Sequence, residues 1–268
     1  MTRVVVTSDL HLGITDEDIL ERHAASIAAE RPDLTVLAGD IGEGLERFRG
    51  CLELYRNLPG DVAVLAGNHD VWGRMVQHSA DLWERALPEA TRAAGMLWLE
   101  DEVWRQGGLA VAGSIAWYDY SAAAPHLDKT DAFWLENKYR WNADAFFVDW
   151  EWSDQEFAER VGAALVARVE RLEADPTVEA ILVATHVPLY EEQMLRKPHD
   201  LDWTFGNTYF GNMTLGERLL FASKLRSVIS GHTHVPRSGS HPRSGEPVSV
   251  MVVNSEYGNP GSITFEYP

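Results

Sequence analysis

A chain of 268 residues with 45% hydrophobic and 24% charged side chains has the balance of a folded globular protein, and no apolar run approaches the roughly 20 residues that cross a membrane. A formal net charge of −18 is the wrong sign for gripping a nucleic-acid backbone, so nucleic acid is not the expected partner. The single cysteine, Cys51, has no partner for an internal disulfide, and the N-terminus lacks the regions of a signal peptide; the expected address is cytoplasmic.

Val4, Val5 and Val6 read as a first strand, followed by a helix over 15–30 with Thr15 and Asp18 spaced as a capping box. A strand over 34–37, a helix over 43–56 holding Cys51 as a small core residue, and a strand over 62–65 come next. The following helix is expected over 74–87, ended by Pro88, and then a β-hairpin over 97–112 turning at Gln106, Gly107 and Gly108. Between 114 and 153 the rhythm breaks. Trp117, Trp134, Trp141, Trp150 and Trp152, half of the 10 tryptophans, lie there with Tyr118, Tyr120 and Tyr139, which reads as an insertion able to cap a site. A helix over 153–174, strands over 180–183 and 227–230 around a helix over 215–225, and strands over 248–253 and 262–267 complete the pattern. Strands alternating with helices predict an α/β fold, here one domain over 1–268 carrying the insertion.

Metal-competent residues fall just past five strands. Asp9 and His11 follow the first, Asp40 the second, Asn68, His69 and Asp70 the third, His186 the strand at 180–183, and His232 and His234 the strand at 227–230. Open α/β sheets place their ligand sites at strand carboxyl ends. Glycine precedes the group at Gly39, Gly67 and Gly231, allowing close backbone approach. Any one Asp could be a helix cap and any one His a loop residue, but five such events in order point to one cluster. Imidazoles, carboxylates and one amide oxygen suit Mn, Fe, Zn, Co or Ni better than calcium. Seven such residues exceed one tetrahedral ion and fit two ions roughly 3.5–4 Å apart.

The motifs Asp9-x-His11, Gly39-Asp40, Gly67-Asn68-His69-Asp70, Thr185-His186 and Gly231-His232-Thr233-His234 make the sequence resemble the calcineurin-like metallophosphoesterase superfamily over nearly its whole length. The resemblance implies a two-sheet β-sandwich flanked by α-helices, with a dimetal site at the strand C-terminal ends. It implies Asp9, His11 and His234 on one ion, Asn68, His186 and His232 on the other, and Asp40 bridging. His69 is implied as the group that steadies or protonates the leaving oxygen, and an imidazole has the pKa for that work. Family members often carry an acid or Asn three positions after the bridging Asp to orient that His, and Glu43 stands there. The alternative for Glu43 is that it only opens the following helix.

Protein phosphatases of the superfamily carry arginines where this chain has Gly44 and Ala66, and lipid-A-type pyrophosphatases tend to carry Arg at the place of His69. The expected substrate is therefore a small phosphodiester or phosphomonoester, with a nucleotide-like diester preferred. Two rivals remain: a nuclease acting on nucleic-acid ends, and a non-catalytic protein-binding scaffold of the same fold. Trp117, Tyr118 and Tyr120 are candidates to stack on a base or sugar, and Lys129, Lys138 and Arg140 to meet distal phosphates. The alternative makes most of these aromatics the insertion's own small core. A second loop, with Asp202, Trp203 and Asn207, adds Asn207 as a candidate substrate contact.

Overall fold

In the computed structural model, which describes residues 1–73 and 77–268, two mixed sheets pack face to face and helices cover both outer faces. The first sheet has the order β11-β1-β2-β3-β4, with β1 Thr2–Thr7, β2 Leu34–Ala38, β3 Asp61–Leu65, β4 Leu97–Trp98 and β11 Ser262–Tyr267. The second has the order β5-β6-β7-β8-β10-β9, with β5 Trp104–Gln106, β6 Leu109–Ser114, β7 Ala180–Thr185, β8 Leu225–Ser230, β9 Arg237–His241 and β10 Val248–Val252. β1, β2 and β3 run parallel in one sheet and β6, β7 and β8 in the other, so their carboxyl ends gather at one end of each sheet.

Period-two alternation explains the layers. Val4, Val6, Val36 and Ala63 point into the space between the sheets, where they meet Val111, Leu182, Ala184 and Ile229. Val5, Leu37 and Val64 point the other way, onto Leu20, Ile27, Phe48 and Leu52 of the helices Glu17–Glu30 and Gly44–Tyr55. Ile181, Val183 and Val228 face Leu165, Val169 and Leu215 of the helices Asp154–Ala174 and Met213–Leu219. Cys51 is wholly buried in the first of these outer layers.

Several local expectations change. Thr15 and Asp18 form no capping box: Asp16 is the N-cap, and the Thr15 hydroxyl accepts the Gly258 N–H. Pro88 does not end its helix, which continues to Ala93. The turn just before it, Leu82–Ala86, is π-helical, and such a turn absorbs the hydrogen bond that a proline cannot donate. The expected start of that helix at 74–76 lies outside the described residues. Of the hairpin, only β5 and β6 pair around Gly107 and Gly108; Leu97 and Trp98 join β3 in the other sheet. The helix expected over 215–225 is Met213–Leu219, because β8 already begins at Leu225. β9 was hidden by its polar composition, an edge strand with mostly exposed residues.

His23 is buried in the helical layer, with Nδ1 2.8 Å from the Tyr55 hydroxyl. Burial lowers its pKa from 6.5 to about 4. The unfolded chain therefore binds the extra proton between those values, and stability that is full above pH 6.5 is lost as the pH falls toward 4, by roughly 3 kcal/mol. Thermal unfolding of chelator-treated protein between pH 7 and 4 should show a smaller acid loss for His23→Gln than for the native sequence; equal slopes would refute this account.

Candidate metal centre

The sandwich brings all seven expected ligand residues, and His69, to one place. Asp9, His11 and His234 form one group, and Asp40, His186 and His232 another, each with its donor atoms within 4.8 Å of one another; His11, Asp40 and His69 form a third that overlaps both. Asp40 lies between them: Oδ2 is 3.5 Å from His11 Nε2 and Oδ1 is 3.3 Å from His186 Nε2. Asn68 Oδ1 sits 3.0 Å from both His186 Nε2 and His232 Nδ1. His234 Nε2 is 3.4 Å from His11 Nε2 and 3.6 Å from Asp9 Oδ1.

Backbone conformation aims these groups. Asp9, His11, Asp40, His232 and His234 all have positive φ, between 46° and 70°, a region costly for residues other than glycine. Hydrogen bonds hold three of them there: Asp9 N–H donates to Gly39 O, His11 N–H to Asp40 O, and His232 N–H to the Asp9 carboxylate, which also accepts from Ser8. Asp70 ties two loops together by accepting from Ile41, Gly42 and Gly67 N–H. The close approach expected of the glycines is real: a Cβ on Gly67 would stand 2.1 Å from Asp40 Oδ1, and one on Gly231 2.4 Å from Asp9 Oδ2.

The donor set fits cations. His186 Nδ1–H donates to Ala38 O and His232 Nε2–H to Tyr209 O, so each ring turns its other nitrogen inward. Asn68 turns its oxygen inward as well, because its Nδ2 donates to Asp144. Burial opposes charge on His186, yet Asp40 and the Ala38 carbonyl outweigh it and raise the pKa to about 9. Burial and His186 lower that of His232 to about 4, and burial lowers that of His11 to about 4. Burial would raise the Asp40 carboxyl, but His186, His69 and His11 hold it well below the usual range. One proton on His186 cannot serve both groups of inward-facing acceptors; two cations can.

His69 faces Asp40 through Nε2 at 3.9 Å and Glu43 through Nδ1 at 3.4 Å, so Glu43 reaches His69 as well as opening the following helix. Glu43 also pairs with Arg47. Trp72 stacks on His69 with ring centres 3.6 Å apart, and Phe147 of the aromatic segment stacks on Trp72 at 4.4 Å. Beside them a cleft of ≈ 490 Å³ is lined by Glu43, Gly44, Arg49, Trp72 and Leu82, among others. Tyr257, 54% exposed, places its ring 4.8 Å from that of His11 and 4.7 Å from that of His234.

The expected substrate-stacking residues are elsewhere. Trp117 and Tyr118 are wholly buried and Tyr120 nearly so, in the same core layer as Phe48 and Leu52. Their polar atoms are engaged too, Trp117 and Tyr120 by Asp154 and Tyr118 by Asp144, so no ring face is open to a base. Lys138 is buried against Asp154, and Lys129 and Arg140 lie over the rings of Phe133 and Tyr139. Asn207 is buried beside Arg196. Sequence reasoning passed over Trp72, Asp144 and Tyr257; only Trp72 stands near a motif, three positions after His69.

A family model described as calcineurin-like phosphoesterase matches residues 2–236. The fold is similar to that of phosphopantetheinyl hydrolase from Mycobacterium tuberculosis, at 23% identity over 96% of this chain and 90% of that one, with a TM-score of 0.74. It is also similar to a dimetal phosphatase from Danio rerio, at 15% identity, 98% and 91% coverage and a TM-score of 0.57. No curated protein matches the sequence significantly. Among the described residues no helix is long and apolar enough to cross a membrane.

Asp70 gives a test of the scaffold alone. Asp70→Ala strips three buried N–H groups of their acceptor and should lower the unfolding free energy by about 3 kcal/mol, read by urea denaturation; a change below about 1 kcal/mol would contradict the bracing role.

Proposed function

The chain belongs to the calcineurin-like phosphoesterase family and is a metal-dependent hydrolase of phosphoric esters; from that premise we propose how its site is divided and which ester it cuts. Asp9, His11 and His234 hold one ion, Asn68, His186 and His232 the other, and Asp40 bridges. The convergence of inward-facing acceptors around Asp40 carries this reading. Such a pair of ions supplies a nucleophilic hydroxide at neutral pH and neutralises the phosphoryl oxygens. The ions are drawn from Mn, Fe, Zn, Co and Ni.

His69 gives a proton to the departing oxygen from Nε2, while Glu43 accepts from Nδ1 and fixes the ring. Trp72 covers one face of that ring and limits its rotation. The departing alcohol lies on the His69 side, where the cleft lined by Trp72 and Arg49 opens. Tyr257, whose ring is half exposed above His11 and His234, contacts the other end of the substrate in place of Trp117, Tyr118 and Tyr120.

The substrate is a small phosphodiester, nucleotide-like in size. One structural relative is named a phosphopantetheinyl hydrolase, and cutting a phosphopantetheinyl group from an alcohol breaks a phosphodiester, which favours the same bond here. The net charge of −18 disfavours long nucleic acids.

Chelator-stripped protein reloaded with Mn²⁺ should hydrolyse bis-p-nitrophenyl phosphate with a higher kcat/KM than p-nitrophenyl phosphate, and Asp40→Asn should show no turnover of either. A preference for the monoester would overturn the diester assignment. His69→Asn should lower kcat about 10²–10⁴-fold on an alkyl ester and far less on a p-nitrophenyl ester, whose leaving group needs no proton; equal losses on both would remove His69 from the proton-donor role.

A further inference from the structure

Asp144 is 1% exposed and belongs to the aromatic segment, 76 positions from Asn68. Its Oδ1 accepts from Asn68 Nδ2 at 2.8 Å and from Trp72 Nε1 at 2.7 Å, and its Oδ2 accepts from the Tyr118 hydroxyl at 2.8 Å. Asn142 Oδ1 accepts the Asp144 backbone N–H and fixes the turn. A carboxamide has one donor end and one acceptor end, and a carboxylate can only accept. With Nδ2 pinned on Asp144, Asn68 has one orientation left, in which Oδ1 faces His186 Nε2 and His232 Nδ1. The flipped amide would set oxygen against carboxylate. The same Asp144 oxygen holds Trp72, whose ring lies on His69.

We propose that Asp144 is a positioning residue that sets the amide orientation of Asn68 for the second ion and holds Trp72 over His69, making the aromatic segment a structural support of the metal centre. The inference rests on the dinuclear reading above. It differs from general core packing in being directional: one carboxylate oxygen accepts from the two side chains that reach the site, and the other, among the described residues, accepts from Tyr118.

That asymmetry supplies the experiment, a Mn²⁺ titration of stripped protein by calorimetry with bound ions counted by elemental analysis. Asp144→Ala should weaken one of two ions about 10–100-fold and leave the other unchanged. Asp144→Asn, which keeps an oxygen for Asn68, should recover most of that loss, and Tyr118→Phe should bind both ions as the native protein does. Folded Asp144→Ala with two ions at native affinity would overturn the proposal, and so would Tyr118→Phe weakening an ion as much as Asp144→Ala. Native protein binding fewer than two ions would instead overturn the dinuclear reading, and this inference with it. Should Asp144→Ala fail to fold, the metal-free native protein decides. The Asn68 side-chain amide protons, assigned by their loss in Asn68→Asp, should exchange slowly with solvent, and fast exchange would show that nothing pins them.

Discussion

Acceptors repel one another, and this structure brings the acceptor atoms of Asp9, His11, Asp40, Asn68, His186, His232 and His234 together at one end of a sandwich. Taken out of water, such a cluster is tolerable only if positive charge sits among it and if the chain is held against its own preference. Much of the surrounding architecture serves that second condition. Left-handed backbone at five of the seven residues turns their side chains inward, and three of these turns, at Asp9, His11 and His232, are fastened by an N–H bond to a neighbouring loop. Asp70 stitches the Asp40 loop to the Gly67 loop, and Gly67 and Gly231 lack the Cβ that would push Asp40 and Asp9 aside.

The centre was legible because its parts recur at one kind of place. β-branched runs mark strands, and an Asp, Asn or His just beyond each can be read without knowing how the strands pair. What could not be read depends on contacts distant in sequence. Asp144 meets Asn68 across 76 positions from a stretch with no periodicity, so nothing local distinguishes it from the other acids there. Tyr257 reaches His11 and His234 from the loop before β11 for the same reason. The helix that runs through Pro88 and the polar strand β9 are cases where tertiary context overrode propensity.

The aromatic segment shows how composition can mislead about function. A density of Trp and Tyr suggested a stacking platform, yet the segment needs those rings to bury itself against the first helical layer, and it engages their polar atoms with two buried acids, Asp144 and Asp154. Among its aromatics, Phe147 reaches outward to Trp72 and so touches the site through another ring. The same two acids anchor Lys138 and Trp72, which makes the segment an extension of the core.

The His232 N–H bonded to the Asp9 carboxylate joins positions 223 apart and belongs to different sheets. Neither sheet alone can assemble the cluster: β1, β2 and β3 bring Asp9, His11, Asp40 and Asn68, and β7 and β8 bring His186, His232 and His234. Contacts of such sequence separation form late, after both sheets are paired and pressed together. A chain with one sheet still open presents only scattered donors. Tight uptake of ions therefore belongs to the finished sandwich alone, and by mass action it draws the folding equilibrium toward that state.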